Sequence, residues 1–405
     1  MVSVAVVRAS VRGVMVIAAS AFVVASAAAA DLQPTPHMHG AAAAMPARPE
    51  LGTSAAFAPD GALYAVTKEG RHVLLHRSAD DGRSWGAPVV VNAEPEQISA
   101  DGENRPKLAF DADGAALVSW TRPLEKRFTG EIRFARASDR RQFTAPVTVH
   151  RDRQEITHRF ESLAVTGAGK VVLAWIDKRD LELAQAANRD YRGAAIYAAV
   201  SDDGGRSFRA EQKVADHSCE CCRIAIAGDT DGLPLLMWRH VFEPNERDHA
   251  LVKLGADGVP GQDVRATFDR WRIDACPHHG PSLTVTPDGT RHAVWFNEKD
   301  GEGRVLYGRL KDGRVEGQRA LGGEQAAHAD IANAGQRVGI VWKEFDGERT
   351  RLQAEISADG GTSFSTRTLA ATGGASDQPR VIRRGERLFA FWRTEKEGMQ
   401  GHWLE

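Results

Sequence analysis

Apolar and polar residues alternate along most of the chain in short runs of four to eight, the spacing of half-buried β-strands rather than helices. One run recurs: an apolar strand closing on Trp. It appears as ALVSW at Trp120, VVLAW at Trp175, LPLLMW at Trp238, HAVW at Trp295, GIVW at Trp342 and FAFW at Trp392. LYAVT, Leu63 to Thr67, fills the same slot with Thr67 in place of Trp. A tight turn precedes each strand, among them Asp60-Gly61, Asp113-Gly114, Asp231-Gly232, Asp288-Gly289 and Arg384-Gly385. Gly and Asp there supply the positive φ that hairpins need. Seven slots over residues 51–405 give units of about fifty residues, the length of a four-stranded propeller blade. The expected fold is all-β, a propeller of seven blades, with six as the alternative count. The seventh unit runs out after its third strand, around Gln400 to Leu404, and a segment near residues 45–52 is expected to supply its outer strand. The Trp residues read as packing between blades.

Before the repeats the pattern changes. Arg8 and Arg12 precede an apolar stretch, Val14 to Val24, too short to span a bilayer, and Ala28-Ala29-Ala30 forms a small-residue cleavage site. Residues 1–30 therefore read as a secretory signal, and the mature chain is expected in the periplasm or outside the cell. Residues 31–50 are Pro- and Ala-rich without periodicity and read as a flexible lead-in. His37-Met38-His39 within it is either a soft-metal ligand set or an incidental part of a tail. No later stretch reads as a membrane span. Lys and Arg number 52 against 54 Asp and Glu, a formal charge of -2, which excludes a nucleic-acid binder that relies on a basic surface. A monomer is expected, with a small ligand, a glycan or a metal ion as partner.

Three copies of Ser-x-Asp-x-Gly-x-Ser-aromatic follow third strands: Ser78 to Trp85, Ser201 to Phe208 and Ser357 to Phe364. A shortened relic lies at Ser138 to Phe143. The Asp can close a turn on backbone N–H groups while the aromatic ring plugs into the blade. These copies resemble the Asp-box, or BNR repeat, of the sialidase-like β-propellers. The resemblance covers nearly all of residues 51–405 and implies a propeller. In that family Asp-boxes are structural and lie away from the active face, which implies no catalytic role for Asp80, Asp203 or Asp359.

On the opposite face, the loops before the inner strands are polar. Arg105, Arg159, Arg223 and Arg380 recur at corresponding places, and Arg239 follows a Trp strand. These five arginines are candidate ligand-binding groups for an anion, or partners of nearby acids. All 4 Cys fall in two such loops of adjacent units, Cys219-Glu220-Cys221-Cys222 and Cys276-Pro277-His278-His279-Gly280-Pro281. Cys219, Cys221, Cys222, Cys276, His278, His279 and His240 are the candidate metal ligands, with copper or zinc as the ion, since thiolate and imidazole suit Cu(I) or Zn. The alternative is disulfides, for example from Cys221 or Cys222 to Cys276. The two Cys segments look similar to those of uncharacterised bacterial exported sialidase-like proteins.

The resemblance also implies what a sialidase-type site needs: three Arg on a carboxylate, a Tyr activated by Glu, and an Asp acid–base. Tyr191 is the candidate nucleophile, with Glu161, Asp177 and Glu298 as candidate acids. Only 4 Tyr exist, and the family's Arg-Ile-Pro motif is absent. The favoured reading is therefore a non-hydrolytic propeller binding a ligand or metal, possibly copper, through its Cys/His/Arg face. The alternative is an exo-acting glycoside hydrolase of sialidase type.

Overall fold

The computed structural model describes residues 49–405 apart from Cys276 and Asp300. The secretory-signal reading, most of the lead-in and the role of Cys276 therefore fall outside the described residues.

Seven antiparallel sheets follow one another along the chain, each an up-and-down meander from inner to outer strand. The seven Trp-slot runs are the second strands: Leu63–Glu69, Ala116–Pro123, Val171–Asp177, Pro234–Arg239, Arg291–Lys299, Arg337–Phe345 and Arg387–Thr394. The inner strands neighbour one another in a ring that closes from Arg380–Arg384 to Ser54–Phe57. The fold is a seven-bladed β-propeller. A second strand is covered by a blade on each side, so Val171–Asp177 is buried throughout and its sequence is apolar almost without alternation. Outer strands such as Val89–Val90 and Val147–Thr148 are two residues long, which keeps the exposed edges short.

The six Trp side chains are fully buried. Five indole N–H groups find acceptors: Glu96, Asp177, Asp269, Glu344 and the carbonyl of Asp377. Trp238 has none among the described residues.

The Asp-boxes join third and fourth strands. In each, the Asp accepts from both Ser hydroxyls, as Asp203 does from Ser201 (2.7 Å) and Ser207 (2.6 Å). The relic keeps its turn through Asp139, which accepts from the Arg141 and Gln142 amides. The aromatic ring reaches further than its own blade. Phe208 packs on Phe134, Phe364 on Tyr307 and Trp85 on Phe391, each on the preceding blade.

The segment near residues 45–52 expected to supply the seventh blade's outer strand lies partly outside the described residues. The seventh sheet has three described strands, and residues 49–53 belong to no strand. The first and seventh blades are joined by side chains: an apolar cluster of Phe57, Trp85, Phe389, Phe391 and Trp403, with Arg384 on Asp81 at 2.7 Å.

Candidate functional site at the ring mouth

Up-and-down connectivity puts the loops after second strands and before inner strands on the face opposite the Asp-boxes. At its centre, charged side chains from distant blades meet. Glu103 is buried and accepts from the backbone amides of Arg223 (2.8 Å) and Gly280 (2.9 Å), tying the second blade to the fourth and fifth. Gly280 is required there, because a Cβ would lie 2.3 Å from Arg223 Cγ and 2.6 Å from its backbone N. Arg105 is also fully buried. It donates to Asp377 Oδ2 (2.6 Å), Gln378 Oε1 (2.9 Å) and the Thr53 carbonyl (2.9 Å), tying the second blade to the seventh and first. These bonds fasten the mouth of the ring.

Below it, a cavity of about 290 Å³ runs between the inner strands, with Lys107, Arg223, Asp330 and Arg380 among its walls. Lys107 donates to the carbonyls of Glu103 and Arg105 and faces Glu161 at 3.9 Å. Burial pulls the Lys107 ammonium below its ordinary value and pushes the Glu161 carboxyl up.

Off-centre on the same face is a groove of about 350 Å³, lined by Asp101, Phe128, Thr157, Arg159, Phe160, Lys178, Glu220, Cys221 and His278. Four successive blades contribute to it. Phe128 stands 60% exposed, a large apolar surface offered to solvent. Its carbonyl accepts from Thr157 Oγ1 at 2.8 Å, which pins the loop. The Arg159 guanidinium lies 5.2 Å from the Phe160 ring, and its buried Nε has no partner among the described residues. Lys178 pairs with Glu220 at 2.6 Å. Phe128, Phe160 and His278 have φ of 66, 57 and 53°, left-handed conformations that cost bulky residues energy.

Behind Cys221 the sulfurs of Cys219, Cys221 and Cys222 gather, all buried, within 4.8 Å of one another. The Cys219 sulfur is 3.3 Å from that of Cys222 and 3.8 Å from that of Cys221, beyond the ~2.05 Å of a disulfide. Among the described residues no imidazole joins this group. His240 packs on Phe242, and burial lowers it to about 4. His279 is stacked between Phe296 and His328, and burial lowers it to about 3. His278 lines the groove instead.

The other sequence candidates are dispersed. Arg239 is buried and donates to the carbonyls of Arg247, His279 and Phe296. Arg223 donates to the carbonyls of Pro281 and Ala329. Arg380 contacts Asp330 at 3.4 Å on the channel wall. Of the five arginines, Arg159 alone lines the groove. The Tyr191 hydroxyl donates to Asp216 at 2.7 Å, and burial together with that carboxylate raises its pKa well above the ordinary value. Glu161 accepts from Thr121 in the interior, and Asp177 is held by Arg179 and the Trp175 indole. Glu298 sits half-buried at the end of a second strand. Sequence reasoning passed over Asp101, Phe128 and Lys178. The one legible signal was Phe128, a lone aromatic in the polar loop after Trp120.

No family model matches the chain, and no curated protein matches it. Solved structures do. A protein of unknown function from Dyadobacter fermentans is 15% identical with a TM-score of 0.52, covering 78% of this chain and 95% of its own. A PL25 ulvan lyase bound to -[GlcA(1-4)Rha3S]- is 10% identical, TM-score 0.52, covering 85% and 90%. A leech intramolecular trans-sialidase is 10% identical at a TM-score of 0.49, covering 85% and 83%. At such identities a likeness establishes the fold alone: this chain is a β-propeller of the architecture shared with the unknown-function protein and the ulvan lyase.

Proposed function

We propose that the chain is an exported propeller that binds an acidic glycan in the groove between the loops of its second to fifth blades. The observation that carries this is that the exposed Phe128 ring and Arg159 line one groove, the buried Arg159 Nε having no partner among the described residues. An aromatic face suits the apolar side of a sugar ring, and a guanidinium suits a carboxylate or sulfate. The ulvan lyase of the same fold was solved with an acidic saccharide, which supports the ligand class. Binding rather than hydrolysis is favoured because Tyr191, Glu161 and Asp177 point at internal partners and do not face one another across an open site. The exo-acting glycosidase reading keeps Tyr191 as its nucleophile.

Titration calorimetry with uronate-containing oligosaccharides, against neutral ones of equal length, tests this. Acidic chains should bind and neutral chains should not. Arg159→Ala should weaken binding at least about tenfold, the value of a hydrogen bond to a charged group, and Phe128→Ala by about fivefold. Binding untouched by either substitution sinks the assignment. Turnover of an aryl sialoside that collapses in Tyr191→Phe would establish the hydrolase instead.

A further inference from the structure

We propose that Cys219, Cys221 and Cys222 form a thiolate centre for one soft d10 cation, Cu(I) or Zn(II), set in the wall of the groove. The site is built by the sequence. In Cys-Glu-Cys-Cys the Glu220 side chain turns outward to Lys178, while the three sulfurs turn inward among the apolar side chains of the third and fourth blades. The loop is fixed before any ion arrives: the Cys219 amide donates to the Arg239 carbonyl at 2.9 Å, bridging to the second strand of its own blade.

The spacing fits an ion. A metal about 2.3 Å from each sulfur holds tetrahedral sulfurs about 3.8 Å apart. The Cys219 sulfur has its neighbours at 3.3 and 3.8 Å. Three thiolates carry three negative charges, and a bound ion leaves one or two uncompensated in a dry interior, where isolated charge is costly. Arg247 Nη1 lies 3.8 Å from the Cys219 sulfur, and Arg239 is buried close by, so the protein supplies the balancing charge. Thiolate and a soft ion match, whereas hard cations prefer oxygen. Cys221 is also a wall residue of the groove, which gives the ion an entry path.

The test uses the full chain, reduced anaerobically and loaded with Zn(II) in one arm and Cu(I) in the other, with Mg(II) as a hard-ion control. After desalting, metal analysis should find about one ion per chain in at least one soft arm and none in the Mg(II) arm. Retention in the Zn(II) arm alone assigns zinc, and stronger retention in the Cu(I) arm assigns copper. Cys222→Ser and Cys219→Ser should each cut retention at least about tenfold. Because a buried Cys→Ser change can itself disturb folding, a second readout uses the unaltered chain. Mass-mapped alkylation of Cys219 and Cys222 should slow at least about tenfold when the ion is present. The proposal is overturned if thiols shown to be reduced retain neither soft ion, or if alkylation is equally fast with and without it. It is also overturned if the chain isolated from an oxidising compartment carries a Cys219–Cys222 disulfide and binds no ion after reduction.

Discussion

Gly205, the Asp-box glycine of the third blade, has φ +79°, and a Cβ there would come 2.7 Å from Phe134 Cζ on the second blade. The Ser-x-Asp-x-Gly-x-Ser-aromatic spacing announces the turn, the positive φ and the aromatic plug. It does not say that the plug lands on the preceding blade, because that depends on which neighbour the ring geometry brings alongside. Gly169, in the turn before Trp175, has a similar φ of +71° but open space around it. The two positions separate backbone strain from crowding. Gly169→Ala should cost about 1 kcal/mol, the left-handed penalty alone. Gly205→Ala should cost about 3 kcal/mol, since Phe134 and Phe208 must also shift. Urea denaturation of both variants measures the difference, and equal losses would show that the contact between these blades is soft.

Strands, turns and Asp-boxes were readable as elements because each is set by residues within ten positions of one another. The polarity of the ring-mouth loops is legible in the sequence; what that polarity serves is not. Arg105 and Arg223 recur in register, which suggests a shared anion or pairing with nearby acids; the structure gives Arg105 to Asp377 and Gln378, and Arg223 to carbonyls of the fifth and sixth blades. Local sequence counts charges in a loop; it does not show which acid, hundreds of residues away, stands opposite. Glu103 makes the point, since its acceptor atoms serve amides 120 and 177 positions along the chain. Removing it leaves two buried N–H groups and the Arg223 guanidinium, 3.7 Å away, without their carboxylate. Glu103→Ala should therefore destabilise by about 3–5 kcal/mol. Amide exchange should accelerate most at Arg223 and Gly280, the ends of the tie. Uniform acceleration over all blades, with those two unremarkable, would mean the tie does not organise the mouth.

Seven repeats imply a closed ring, but the manner of closure lies outside the repeat pattern, because it is made where the repeat breaks. Phe57, Phe389, Phe391 and Trp403 seal the first blade to the last, and no strand of residues 49–53 takes part. Cooperative unfolding of a ring fastened by packing and buried polar ties would make its response to acid a sum over all blades. Burial lowers His150 to about 3 and His240 and His292 to about 4, against about 6.5 in an unfolded chain. Above pH ~6.5 these imidazoles are neutral in both states and do not bias folding. As pH falls below that, the unfolded chain takes up protons that the folded chain refuses, so stability drops until the folded values are reached. Each histidine can contribute up to ~1.4 kcal/mol per pH unit over that window. Glu161 and Asp377, whose carboxyls burial raises, act in the opposite sense and flatten the slope. The melting temperature should fall between pH 6.5 and 4. His292 is the informative probe, since its ring sits 2.9 Å from the Tyr307 hydroxyl in the core and does not line the groove. His292→Gln should lower stability at pH 7, where the ring's packing is lost, and give a shallower dependence on pH below 6.5. A variant that melts with an unchanged slope would remove His292 from the acid response and leave His150 and His240 to account for it.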